Sequence, residues 1–229
     1  SWIYLLKKIS DVFQVFQNFQ SLVERKFDSK IIVVQSDWGG YEKLNSFFQN
    51  IGISHHVSCP HAHQQNGSAE RKHRHVLEIA RALMISSHIP PHFWDEAVST
   101  TAFLINQQPS SVLQSCTPFE HLFDTSPGYS HLRSFGCVCY ILLPSRERNK
   151  LTAQSTECIF LGYYTEHKGY RCYDPVSHRV ITSRHVYFDE LVFPFAQEQV
   201  APSSSPAAGP SPRRRPLPTL GAPAPPPAA

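Results

Sequence analysis

Apolar positions recur along the first half of the chain at helical and strand spacings in turn. The run WIYLL (2–6) predicts a short buried strand. In residues 10–27, Val12, Phe13, Phe16, Phe19, Val23 and Phe27 fall at three- and four-residue steps. That spacing makes an amphipathic helix, with Ser10 in position to cap it. KIIVVQSD (30–37) is β-branched and apolar, which predicts a central strand ending at Asp37. Leu44, Phe47, Phe48 and Ile51 give a second helix over 41–52 that stops at Gly52, and ISHHVS (53–58) reads as a strand. Ser68 opens a long helix to about residue 87, with Ala69, His73, Val76, Leu77, Ala80, Leu83 and Met84 as its apolar stripe. A further helix after Pro91 is expected to bury Phe93, Trp94, Ala97, Thr101 and Leu104. Strands and helices that alternate in this way predict an α/β layer.

After Pro127 the pattern changes. FGCVCYILL, ECIFLGYY, KGYRCYD, RVITS and RHVYFDE are five short strand-like runs. Turn formers such as Pro144, Gly169, Asp174 and Pro175 separate them, and the set predicts a small β-barrel. From about residue 197 the chain is rich in Pro, Ala, Ser and Gly, a composition that cannot build a core and predicts a disordered, polyproline-like tail.

Composition refines this picture at three points. The 229 residues are 41% hydrophobic and 12% aromatic, enough for one or two domains with real cores. The net charge of +3 equals the contribution of Arg213, Arg214 and Arg215 in the tail. The folded body is therefore near neutral, and nucleic-acid affinity must come from local patches. The six cysteines form no CxxC pair, which predicts reduced, mostly buried thiols of an intracellular protein. No apolar run is long enough to cross a bilayer, so no membrane partner is expected. Met84 is the only methionine and residue 1 is serine, which predicts a fragment, a processed product or a piece of a polyprotein.

Two carboxylates are candidates for chemistry. Asp37 ends a strand ahead of Gly39 and Gly40, at the open edge where α/β sheets place their sites; it also suits a simple turn. Glu70 lies in the first turn of a helix, directly after the tight turn Asn66-Gly67. A lone Glu there also serves as a dipole partner. Arg71, Lys72 and Arg74 beside it suit a phosphate backbone.

The segments QSDWGG, GISHHVSCPHAHQQNGSAERKHRH, FW and TTAFLIN closely resemble the integrase core of copia-type long-terminal-repeat retrotransposons. LRSFGCVCY, STECIFLGYY, HKGYRCYDP and SRHVYFDE resemble the small SH3-like domain that follows that core, and the likeness covers roughly residues 1–196. It implies an α/β fold: a partial RNase H-like integrase core over 1–108, a helical linker over 109–128, an SH3-like β domain over 129–196 and the tail over 197–229. It also implies two-metal phosphoryl transfer with Mg²⁺ or Mn²⁺ held by three carboxylates, of which Asp37 and Glu70 match two. Their side chains should then lie within reach of a shared metal pair. Gln64, Gln65 and Asn66 match a polar turn that contacts a DNA end, and Arg71, Lys72 and Arg74 become phosphate contacts. The implied partners are retrotransposon ends and target DNA, with homo-oligomers and a nuclear location for the intact parent.

Two departures qualify the likeness. The family's first catalytic Asp precedes the residues that match Ser1-Trp2, so residues 1–229 alone are expected to be inactive in strand transfer. The chain also reads Gly39-Gly40-Tyr41-Glu42 where the family usually reads Gly-Gly-Glu-Tyr, an exchange or a one-residue deletion. The alternative readings are a catalytically dead DNA-binding or interaction module and a non-functional transposon relic. No zinc is expected: His55, His56, Cys59, His61 and His63 lack ligand spacing, and the family's zinc module lies upstream. His73 is expected to be partly buried and His75 exposed. Cys137 and Cys139 should face one core. Arg146, Arg148, Lys150, Lys168, Arg171 and Arg179 form either a DNA-facing patch or a solvated surface, and the tail arginines either an import signal or a weak DNA contact.

Overall fold

The computed structural model describes residues 1–36, 42–58, 67–143, 151, 153–164 and 168–198. A 3₁₀ turn (Ile9–Asp11) leads into α1 (Val12–Phe27). Ser10 does not cap the helix. The Asp11 carboxylate instead accepts the Lys8 N–H at 3.3 Å, because the turn places Lys8 at the start. β1 (Val33–Ser36), α2 (Glu42–Ile51) and β2 (Ser54–Val57) follow. Gly52 (φ 76°) ends α2, and the Ile53 N–H reaches back to the Phe48 carbonyl at 2.9 Å. β1 and β2 pair in parallel, with Val33 opposite Ser54 and Ser36 opposite Val57. A small core of Leu44, Phe48 and Ile53 joins this sheet to the half-buried Phe13 and Phe16 of α1.

Two expectations for this region fail. Residues 2–6 form no strand and are mostly exposed. A strand needs a ladder partner, whereas these residues pack by side chains. Trp2 and Tyr4 meet Phe19 at 5.7 and 5.9 Å, and Ile3 packs toward the helices beyond. β1 is not a buried central strand either. Among the described residues it has one ladder partner, β2, and Val33 is 49% exposed because no layer covers its outer face.

α3 (Gly67–Ser87) and α4 (Trp94–Gln107) pack together, with a 3₁₀ turn at Pro91–Phe93 between them. The buried stripe of α3 runs through Val76, Ile79, Ala80, Leu83, Met84 and Ser87. Ala69, His73 and Leu77, expected on that stripe, are exposed; the helix is rotated so that Ile79 faces inward. Trp94 is also exposed, at 54%, at the start of α4 and just ahead of the buried Glu96, Ala97 and Val98. A further 3₁₀ turn (Ser111–Leu113) and α5 (Pro118–Phe123), capped by Thr117 accepting the Glu120 N–H at 2.9 Å, lead to the β unit.

β3 (Val138–Leu142), β4 (Ser155–Tyr163), β5 (Tyr170–Asp174), β6 (Arg179–Ser183) and β7 (Val186–Asp189) form an antiparallel sheet in the order β6-β5-β4-β3-β7. These are the five strands the sequence predicts. α6 (Pro194–Glu198) closes the described chain, and the expected tail lies beyond it. One face of the sheet buries Cys137, Cys139, Cys158, Phe160 and Cys172 in a common cluster, so Cys137 and Cys139 share a side.

The β unit packs directly against the preceding helices. Ile159 and Leu161 of β4 belong to the same core as Val76, Ala97 and Val98 of α3 and α4. Phe103 stacks on Tyr163 at 4.2 Å, and the Thr100 hydroxyl donates to the Leu161 carbonyl at 3.0 Å. A register shift between Phe160 and Gly162 bends β4, and Gly162 takes φ 145°, a value that L side chains rarely adopt. A Cβ at Gly162 would overlap Thr100 Oγ1, so the helix lies directly on the strand backbone. Sequence periodicity marks the strands but not the other layer that covers them.

Candidate functional site

The parallel register of β1 and β2 brings their carboxyl ends, Ser36 and Val57, to one edge of the small sheet. Hydrogen bonds fix that edge. Ser36 Oγ lies 2.8 Å from His55 Nε2, and His55 Nδ1 lies 2.6 Å from Asn45 Oδ1. The same imidazole packs edge-on against Phe48 at 5.0 Å. His55 thus ties β1, β2 and α2 together, a structural role that its place in a histidine-rich stretch does not announce. Asp37 follows β1 in sequence, but it lies outside the described residues, as do Gln64, Gln65 and Asn66 and also Cys59, His61 and His63. The expected meeting of Asp37 with Glu70 therefore falls outside the description.

Glu70 is exposed in the first turn of α3. With His73, Arg74, Leu77, Glu78 and Arg81 it lines a shallow groove of ≈ 370 Å³ along the helix. Glu70, Arg74 and Glu78 follow at four-residue steps, the spacing at which opposite charges support a helix. Arg71 bends back over the start of α3, its Nη2 donating to Ser68 Oγ at 3.4 Å. Arg71 and Arg74 thus share the solvent side of the helix with Glu70. Lys72 does not join them: it is half-buried and turned toward the start of the chain. There the Ser1 ammonium is held below its usual pKa, first by burial and then by the Lys72 charge. His73 is exposed rather than partly buried, and His75 is exposed as expected.

Glu70 supplies a hard oxygen donor of the kind Mg²⁺ takes. Among the described residues, no group of three or more His, Cys, Asp or Glu side chains is placed to hold a metal ion. The donor chemistry of an Asp–Glu pair suits such an ion, and Asp37 lies outside the described residues.

The sequence missed a second polar centre. Glu96 of α4 is 6% exposed and receives a two-point contact from Arg171 of β5, with Nε at 2.7 Å from Oε2 and Nη2 on Oε1. Hydrogen bonding to Glu96 raises the Arg171 pKa further. Arg171 is thereby committed to the helix contact and withdrawn from the basic patch expected on the barrel. Lys168 and Arg179 remain exposed, while Arg146, Arg148 and Lys150 lie outside the described residues. The sequence signal was an acid in the first turn of an otherwise enclosed helix, but its partner is 75 residues away.

Residues 137–201 match the retroviral polymerase SH3-like domain family. The chain is 40% identical over 206 residues, 90% of its length, to the retrovirus-related Pol polyprotein from transposon RE2 of Arabidopsis thaliana. It is 42% identical over 197 residues, 86% of its length, to that from transposon RE1 of the same plant. It is 41% identical over 192 residues, 82% of its length, to that from transposon TNT 1-94 of Nicotiana tabacum. These stretches are 14%, 13% and 14% of the respective relatives, so the chain spans about a seventh of their length. On this similarity, and with an SH3-like unit over 137–201, the chain belongs to the copia-type, retrovirus-related Pol polyproteins of transposons.

Proposed function

We propose that this chain is part of the integrase region of a retrotransposon polyprotein and that it acts on DNA. The observation that carries the reading is Glu70 in the first turn of α3, exposed and flanked by Arg71 and Arg74 on the same solvent side, within a chain about 40% identical to Pol polyproteins. In this reading residues 1–108 are a partial RNase H-like core, residues 109–128 a linker and residues 129–196 the SH3-like domain. Asp37 and Glu70 hold Mg²⁺, which when bound lowers the energy of charge that develops on phosphoryl oxygens. Arg71 and Arg74 neutralise phosphates and set the position of the duplex without reading its sequence. Gln64, Gln65 and Asn66 border the DNA end. The intact parent works as a homo-oligomer in the nucleus.

A second reading, a DNA-binding module without catalysis, is supported by Arg71 and Arg74, which are exposed and can contact phosphate without a metal. One experiment addresses both. Binding of residues 1–229 to a labelled duplex is measured between 50 and 200 mM salt, with and without Mg²⁺. A few phosphate contacts predict a loss of affinity on the order of tenfold or more across that range. Replacing Arg71 and Arg74 with Ala should weaken binding to all sequences equally. Glu70→Gln should strengthen binding in EDTA, by removing a carboxylate beside phosphate, and should abolish any gain from Mg²⁺. No binding to the duplex would reject DNA as the partner, and salt-independent binding would reject the phosphate contacts. A Mg²⁺ response that survives Glu70→Gln would leave only the non-catalytic module.

A further inference from the structure

Beyond the α4 contact, the face of the sheet that carries Ile159 ends in a polar-aromatic patch that neither the core nor the helix contact uses. On β3, Tyr140 stands opposite Tyr187 of β7 on one side and Glu157 of β4 on the other. The two phenol rings lie 6.4 Å apart and tilted by 39°, and Tyr187 is 73% exposed. The Tyr140 hydroxyl donates to Glu157 Oε2 at 3.5 Å. Asp189, two residues along β7, shares the face, as does Leu142, which is 41% exposed. The Tyr140 phenol is held above its usual pKa, first by lost hydration and then by the Glu157 and Asp189 charges, so both carboxylates act on the same spot.

An open phenol, Tyr187, beside the half-buried Tyr140 and between two carboxylates suits a ligand with guanidinium groups and stiff apolar rings. Guanidinium stacks on phenol and pairs with carboxylate, and proline packs on aromatic rings in an extended helix that costs little entropy to order. The chain carries such a segment itself: residues 212–218 read Pro-Arg-Arg-Arg-Pro-Leu-Pro. These three arginines account for the whole net charge of +3, so the complement is concentrated where the patch would meet it.

We propose that the Tyr140–Tyr187 face, with Glu157 and Asp189, is a docking site for the chain's own arginine–proline segment, residues 212–218, folded back in cis. The reach is sufficient. α6 leaves the β unit with Phe195 packed 6.3 Å from Phe93, which fixes the root of the tail. Residues 199–212 at about 3.1 Å each span about 43 Å when extended. A unit of roughly 100 residues has a radius of gyration of only about 13 Å, so the segment can return to either face. A tether of this kind presents the ligand at an effective concentration on the order of 1 mM. An intrinsic Kd of about 0.1 mM is then enough to keep the contact closed most of the time.

The test is limited trypsin digestion of the full 229-residue chain at low concentration, following the nicks after Arg213 and Arg214 by intact mass. Docking predicts nicking about tenfold slower than in a synthetic peptide of residues 210–221 mixed into the same digest. Tyr187→Ala and, separately, Glu157→Lys should bring the rate up to that of the peptide, as should raised salt. Thermal melting checks that each variant is folded. Both positions are exposed, and if Tyr187→Ala loosens the edge strand, Glu157→Lys carries the test alone. Equal rates for wild type, Glu157→Lys and peptide would overturn the proposal. Protection that grows with protein concentration would also overturn it, by showing that the tail belongs to a second copy.

Discussion

In residues 1–58, Leu44, Phe48 and Ile53 are the described apolar side chains that are fully enclosed, while Trp2, Tyr4, Ile9, Leu22, Ile32 and Val33 stay open to solvent. In residues 67–198, one continuous interior runs from Val76 and Ala80 through Ala97 and Val98 to Ile159, Leu161 and the cysteine cluster. The two regions touch lightly. Ile3 reaches the α3–α4 core, and Lys26 and Phe27 of α1 meet Phe123 of α5. The second region is dense because α4 is covered on two sides, by α3 and by β4. Among the described residues, the first has a two-stranded sheet on which Val33 is half open to solvent, and so has little to bury against. Of the candidate residues, Asp37 follows the strand of the thin region in sequence, and Glu70 lies in the first turn of a helix rooted in the dense one.

The comparison breaks most sharply at Gly162. Adding one methyl group there sets a left-handed backbone against an L side chain and drives a Cβ into Thr100. Gly162→Ala should cost about 3–4 kcal/mol, overpacking and backbone strain together. Adding Thr100→Ala should recover the steric share but not the strain, which a double-mutant cycle by urea melting would separate. Full additivity would show that helix and strand do not touch as described.

Phe48→Ala probes the other region. Removing a buried Phe costs about 3 kcal/mol, and here it takes the centre out of a three-residue core. Amide exchange should rise throughout α1, α2, β1 and β2 while α4 and β4 keep their protection. Equal loss everywhere would show that the two regions unfold as one.

Arg171→Leu comes next, at about 2 kcal/mol. It strands the Glu96 carboxylate in a buried place, although Arg171 itself is partly exposed. The loss should appear in melts of the dense region, and Glu96→Leu on top of it should restore much of the stability, since an apolar pair replaces an ionic one.

These residues also mark how far the sequence could be read. Helices α1 to α4 announced themselves through periodicity, and strands β3 to β7 through short apolar runs between turn formers. Glu96 and Arg171, Gly162 and Thr100, and the true inward face of α3 did not. Each is defined by a partner 60 or more residues away or by which side another layer covers. WIYLL has the composition of a strand but no ladder partner, and composition cannot supply one. Of the candidate residues on α3, Glu70, Arg71 and Arg74 are exposed and Lys72 is half-buried, because a helix turns 100° per residue.

The smallest effect distinguishes the regions by acid. In the thin region, Glu24 accepts the Ile31 N–H at 3.0 Å and the Gln20 side chain at 3.1 Å. The backbone bond first, and the side-chain bond second, hold its pKa below the ordinary value. In the dense region, Asp174 accepts the Ser177 hydroxyl at 2.6 Å and the Val176 N–H at 2.9 Å at the β5–β6 turn. The Ser177 bond leads in lowering its pKa. A carboxylate whose pKa is lower folded than unfolded binds more protons unfolded in between. Its contribution is fully present above the unfolded value of about 4 and is lost as the pH falls through the folded value. Both regions should therefore weaken below about pH 4, each through its own carboxylate. Glu24→Gln should flatten the acid response of exchange in α1 and β1 and leave β5 and β6 unchanged, and Asp174→Asn should do the reverse. If either substitution flattened both responses, the seam at Ile3 and Phe123 would be transmitting stability, and the thin and dense regions would be a single cooperative unit.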